Sequence, residues 1–216
     1  PPPRGGGGGG AGANDLAAFQ QTRALVGSPR WQLAARDANL HFPQAAETFA
    51  CALDLEISAE RTPHLNMLLR RTLADAGLST YRAKDNYNRT RPFVAQQVAS
   101  CNPPEEPRLV KDGSYPSGHA ALGWAWALVL TEVAPERADA LLARGHAFGQ
   151  SRVVCGVHWQ SDVDMGRVMG AATVARQHAD PVFQAQLAAA SREVKAQRTA
   201  GAKAQRDCAA EAAALR

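Results

Sequence analysis

The chain has 216 residues, 24 Lys and Arg against 20 Asp and Glu for a net charge of +4, and 44 alanines, which together suit one helical domain with its own core. From Ser191 onward six basic residues face three acidic ones, so the tail holds +3 and the other 190 residues only +1. The pI near 9.1 therefore describes a basic tail and excludes a nucleic-acid-binding face as its meaning. No apolar run reaches the roughly 18 residues a bilayer span needs, and the best candidate, Ala120 to Leu130, is too short. A soluble globular protein without a membrane partner is expected.

Residues 1–13, PPPRGGGGGGAGA, read as a flexible Pro/Gly-rich leader. The chain opens on Pro1 with no charged and apolar signal segment, as a mature or trimmed chain would. A helical domain is expected over 14–190. Ser28-Pro29 and Thr62-Pro63 each set a capping hydroxyl before a proline suited to the first helical position. Phe49, Leu53 and Ile57 recur every four residues, as do Leu65, Leu69 and Leu73, giving apolar stripes at helical spacing. Ala120 to Leu130 is apolar nearly all round and predicts a central buried helix. Pro135 opens another helix running toward Val154, with Gly156 as its stop, and a further helix is predicted from Trp159 to Gln177. Beyond Pro181 the text is Ala- and Gln-rich, and 191–216 reads as a basic surface helix or frayed end. Alternating strand patterns are scarce. The fold expected is an all-α, single-domain helical bundle around a central buried helix.

Cys51, Cys101, Cys155 and Cys208 are far apart and form no C-x-x-C pair, which argues against a zinc knuckle or a thioredoxin-like site. Two disulfides in any of three connectivities, or four reduced buried thiols, both fit the sequence.

Three motifs carry chemistry. In the first, Lys84 and Arg91 stand seven apart before Pro92, about two helical turns, so one helix face would present both cations. In the second, Pro116-Ser117-Gly118-His119 directly precedes the buried helix. A helix start exposes backbone N–H groups suited to an anion; Gly118 permits close approach, Ser117 adds a hydroxyl and His119 a proton. In the third, Ser151-Arg152 is followed by His158 and, four residues on, Asp162. That carboxylate would fix the imidazole tautomer and leave the other ring nitrogen free as a nucleophile. Each motif alone is ordinary: a solvated Lys–Arg pair, a capped helix start, a structural His/Asp pair. Together they supply three cations, an anion nest, an acid and a carboxylate-backed nucleophile, an inventory for phosphoryl transfer. No carboxylate cluster for Mg²⁺ accompanies them, so chemistry without metal or cofactor is expected.

K-x6-R-P, P-S-G-H and S-R-x5-H-x3-D, in that order, resemble the signature of the type 2 phosphatidate phosphatase superfamily. The flanking GSYPSGHAALGWAWALVL and GQSRVVCGVHWQSDVD are most similar to class A bacterial non-specific acid phosphatases, and the likeness runs from about Leu16 to Leu187. The resemblance implies an all-helical fold, export to the periplasm after signal removal, and a homo-oligomer. It also implies metal-independent hydrolysis of phosphomonoesters through a phosphohistidine, vanadate inhibition, and phosphotransfer to alcohols. On the matching positions, Lys84, Arg91, Arg152, Ser117 and the Gly118 amide would bind phosphoryl oxygens. His158 would attack phosphorus, Asp162 would orient it, and His119 would protonate the leaving group. Export would permit disulfides, and Cys101–Cys155 with Cys51–Cys208 is the favoured pairing. Asp85, Asn86 and Tyr87 are expected to border the leaving-group pocket, and His41, His64, His146 and His178 to be structural or solvated. Three alternatives compete. A vanadium haloperoxidase is disfavoured by the short chain, a membrane lipid phosphatase by the missing spans, and a phosphate-binding module by the two catalytic-type histidines.

Overall fold

Prolines and capping side chains mark helix starts along this chain, and the computed structural model, which describes residues 1–2 and 10–216, places helices at them. The first, α1 (Gly10–Thr22), begins inside the expected leader, whose residues 3–9 lie outside the described part. Ser28 caps α2 (Pro29–Arg36) by accepting the Trp31 N–H at 3.3 Å. Two short helices follow, α3 (Gln44–Glu47) and α4 (Ala50–Leu53). Asp54 takes a left-handed conformation (φ 55°) and ends α4. Ile57 is therefore not on a helical stripe with Phe49 and Leu53, although all three are buried.

The long α5 (Pro63–Leu78) carries the predicted Leu65, Leu69 and Leu73, but Thr62 does not cap it. Its hydroxyl turns back and donates to the Ser58 carbonyl at 3.0 Å. The free N–H groups of His64 and Leu65 instead donate to the Glu193 carboxylate at 3.1 and 2.9 Å. Such a carboxylate stabilises a helix start through both hydrogen bonding and the dipole.

Next come α6 (Tyr81–Tyr87), α7 (Pro92–Ala95) and α8 (Glu106–Leu109), three short helices of which α6 and α8 line the site. The remaining helices are α9 (Gly118–Val133), α10 (Ala138–Val154), α11 (Gln160–Gln177), α12 (Pro181–Thr199) and α13 (Cys208–Ala214). No strand occurs among the described residues, and the fold is all-α. As predicted, α9 is central: Leu122, Trp126, Val129 and Leu130 are buried on it, and α5, α10, α11 and α12 pack around it. The Trp126 indole N–H donates to the Leu69 carbonyl at 2.8 Å, so the largest core side chain leaves no polar atom unsatisfied.

The residues after Pro181 are less peripheral than their composition suggests. Helix α12 runs unbroken through the boundary expected after residue 190 and buries Phe183, Leu187, Ala190 and Val194 against α5 and α9. Disulfides join Cys51 to Cys208, tying α13 to α4, and Cys101 to Cys155, tying the chain after α7 to the end of α10. One close approach positions the site. A Cβ on Gly166 would sit 2.5 Å from the Ser117 carbonyl, so α11 lies against the start of α9 only because that residue is glycine. There the Ser117 N–H donates to the Asp162 carbonyl at 2.9 Å, locking the second motif to the third.

Candidate active site

The three motifs converge on one cavity of about 170 Å³, lined by Lys84, Arg91, Gly118, His119, Arg152 and His158 among others. Lys84 and Arg91 do not reach it from one helix face. Asn88, left-handed at φ 39°, ends α6, and Arg91 is extended as it enters α7. The chain reversal between them brings both side chains inward, and both are buried. Lys84 Nζ donates to the Gly113 carbonyl at 2.6 Å and lies 3.7 Å from Asp112 Oδ2. Arg91 donates to Asp112 Oδ2 at 3.0 Å and to the Val157 carbonyl at 3.0 Å, and its Nη1 stands 3.1 Å from His158 Nε2.

Arg152 comes from the last turn of α10. Its Nε and Nη1 are buried with no hydrogen-bond partner among the described residues. A buried guanidinium with unspent donors on a cavity wall calls for an anion, because an unpartnered buried charge is costly. Gly156 (φ 80°) stops α10, and His158 follows in the turn before α11. His158 therefore meets Asp162 across a helix start and not along a helical turn. The Asp162 carboxylate folds back to accept the Trp159 N–H at 2.8 Å, and its Oδ2 lies 3.4 Å from His158 Nδ1. Since Arg91 can only donate, Nε2 of His158 must carry the lone pair and Nδ1 the hydrogen that faces Asp162.

Ser117 caps α9 by accepting the Ala120 N–H at 3.2 Å; it is fully buried and sits behind Gly118, which lines the cavity. His119 Nε2 lies 3.1 Å from the Ala38 carbonyl. A carbonyl only accepts, so Nε2 holds a hydrogen and Nδ1 is the atom left for proton exchange.

Burial, then the cations around it, push both histidines well below the usual imidazole value: Arg152 acts most on His119, and Arg91 and Lys84 on His158. Burial and Arg91 bring Lys84 down to about 8 and Arg152 to about 9, and both stay cationic at acid pH. Burial raises Asp162, with Arg89 and the Trp159 N–H opposing.

Several contributors escaped the motifs. Arg89 Nη1 donates to Asp162 Oδ1 at 2.6 Å and its Nη2 to Asp15 Oδ2 at 2.7 Å, while Asp15 also accepts the Ser161 N–H. Behind His119, Asp37 pairs with Arg144 at 2.6 Å and accepts the Ser151 hydroxyl at 2.6 Å. Glu211 lies 3.3 Å from Arg144. Asp112 is the other omission. Arg89 and Ser151 lay within the motif text, but nothing in the sequence tied Asp15, Asp37 or Glu211 to the site. Conversely, Asp85, Asn86 and Tyr87 do not line the cavity: they are exposed on the outer side of α6, and Leu73, Gly77, Thr80 and Tyr81 form that wall instead. His41, His64, His146 and His178 also lie outside the cavity, the last 2.9 Å from Glu132.

Residues 65–181 match the PAP2 superfamily, so the sequence itself carries the class that fold and site define. The chain belongs to this superfamily. It is 46% identical to a non-specific acid phosphatase of Providencia stuartii, over 83% of this chain and 73% of that one. Identity is 42% to an acid phosphatase of Zymomonas mobilis, covering 87% and 71%. It is 45% to a non-specific acid phosphatase of Salmonella typhimurium, covering 90% and 78%. Within its superfamily the chain groups with acid phosphatases.

Proposed function

We propose that the chain is an exported acid phosphatase that hydrolyses phosphomonoesters through a covalent phosphohistidine on Nε2 of His158. The observation that carries this reading is the pairing of the unspent Arg152 guanidinium with the Nε2 lone pair of His158 on one cavity wall. A phosphoryl group drawn in by Arg152, Lys84, Arg91 and the Gly118 amide presents its phosphorus to that lone pair. Nε2 forms the N–P bond as the ester P–O bond breaks, and His119 gives its proton to the departing oxygen. Asp162 faces the positive imidazole so created. Water then attacks phosphorus with His119 as base, the N–P bond breaks, and inorganic phosphate leaves. An alcohol in place of water would make the enzyme a phosphotransferase. Vanadate, with the charge and shape of the transferring group, would inhibit. The two disulfides support export to an oxidising compartment such as the periplasm, and a homo-oligomer belongs to the same proposal. No helix among the described residues is long and apolar enough to cross a membrane.

The test is a rapid, acid-sparing quench during turnover of a chromogenic phosphomonoester, followed by peptide mass mapping. Phosphate is expected on His158, and His158→Ala is expected to abolish turnover. Phosphate found on a serine or an aspartate would overturn the assignment.

A further inference from the structure

We propose that Asp112 is a positioning residue that competes with phosphate oxygens for Lys84 and Arg91 and thereby sets how tightly the site holds phosphate. The proposal rests on the phosphatase reading. Asp112 is the one acidic side chain on the cavity wall among the described residues. Its Oδ2 sits 3.0 Å from Arg91 Nη2 and 3.7 Å from Lys84 Nζ, with the side chain 29% exposed.

The donor inventory of Arg91 makes the competition unavoidable. Its five N–H groups are all engaged: Nε with the Leu109 and Asp112 carbonyls, Nη1 with the Val157 carbonyl and His158 Nε2, Nη2 with the Asp112 carboxylate and the Gly113 carbonyl. Arg91 can therefore hydrogen-bond a phosphate only by giving up a protein partner. The carbonyls are fixed by the backbone that frames the cavity, and His158 Nε2 leaves Arg91 Nη1 only when it bonds to phosphorus, after the phosphate is seated. The carboxylate hangs on two rotatable bonds at a partly exposed edge, so it is the partner that yields.

Binding phosphate thus exchanges one charge-assisted hydrogen bond for another, so the gain is smaller than three cations imply. A displaced carboxylate still stands near the phosphate oxygens and repels them. Phosphate, the product, is held less tightly and leaves sooner. Binding that is equal for substrate and product would only slow release at high substrate.

Asp112→Asn removes the charge and keeps the size, Asp112→Ser removes the charge with a smaller side chain, and Asp112→Glu retains the charge. Binding of inorganic phosphate is measured by calorimetry near neutral pH, without turnover, beside KM and kcat for a chromogenic ester. The two neutral variants are expected to bind phosphate about tenfold more tightly, with KM falling in parallel and kcat not rising. Asp112→Glu is expected to stay near wild type. Unchanged or weaker phosphate binding in the folded neutral variants would show that Asp112 merely holds the cations in place, and would overturn the proposal. If the wild-type chain binds no phosphate at all, the phosphatase reading itself falls, and this proposal with it.

Discussion

The two cavity histidines stand in opposite surroundings. His158 is backed by charge: Asp162 faces its Nδ1, Arg89 holds Asp162, and Asp15 of the first helix holds Arg89. His119 is backed by a carbonyl, that of Ala38, and by the Phe148 ring stacked 6.2 Å away at 22°. Under the proposed mechanism, the difference follows what each does. A histidine that bonds to phosphorus becomes positive and must stay so through the lifetime of the intermediate, which a fixed carboxylate stabilises. A histidine that delivers a proton works best when no carboxylate clings to its positive form. Desolvation and Arg152 lower its affinity for that proton, which makes it a stronger acid.

The largest expected effect comes from removing one histidine and changing the leaving group. His119→Ala is expected to slow hydrolysis of alkyl phosphates by about 10²–10⁴-fold, the usual worth of general acid catalysis. Nitrophenyl phosphate, whose leaving group is a weak base, should suffer far less. Steady-state kcat/KM on both esters is the check, and equal losses would make His119 a phosphate-positioning group. Next in size is the charged backing of His158. Arg89→Met leaves Asp15 and Asp162 buried without their cation, and one stranded partner of a buried pair costs about 3–5 kcal/mol. Denaturant unfolding should show the loss, with kcat falling for both leaving groups alike. A fall confined to alkyl phosphates would erase the distinction drawn between the histidines.

A smaller effect sharpens the comparison through pH. Both histidines have folded values depressed below the unfolded reference of about 6.5. The unfolded chain then takes up protons that the folded one refuses, so their contribution is full above that reference and is lost as pH falls below it. The slope is at most about 1.4 kcal/mol per pH unit for each histidine. Asp162, raised by burial, slopes the other way, so the readout is the difference between wild type and each single histidine variant. Bound phosphate offers the histidines a negative neighbour. The gain in Tm from added phosphate should therefore grow as pH falls, and a gain independent of pH would show that phosphate leaves both imidazoles neutral.

How much of this was legible in the sequence depends on the reach of each contact. Lys84, Arg91, Arg152, His119, His158 and Asp162 stood in motifs whose residue types announce oxyanion chemistry. Their assembly, however, ran through Asn88, a positive-φ break that a helical spacing argument steps over, whereas Gly156 was legible as the stop of α10. Nothing in the local text marks Asp15 or Asp37, because their partners lie 74 and 107 residues away. Thr62 was the expected cap of α5, yet Glu193, 129 positions beyond the His64 it holds, occupies that place. Local patterns disclosed the elements and the reacting groups, and long-range pairing chose the groups that hold them.

Those two long reaches from the C-terminal end bear on what a shortened chain would lose. Glu193 sits at the start of α5, and Glu211 reaches Arg144, the cation behind Asp37 and Ser151. A protease nick after residue 190 would leave the tail tethered through Cys51–Cys208, whereas a premature stop there would remove both carboxylates together with Cys208 and leave every motif residue in place. Such a product would keep its whole signature and lose the supports beneath it, so the loss would register in the core before it registered in the chemistry.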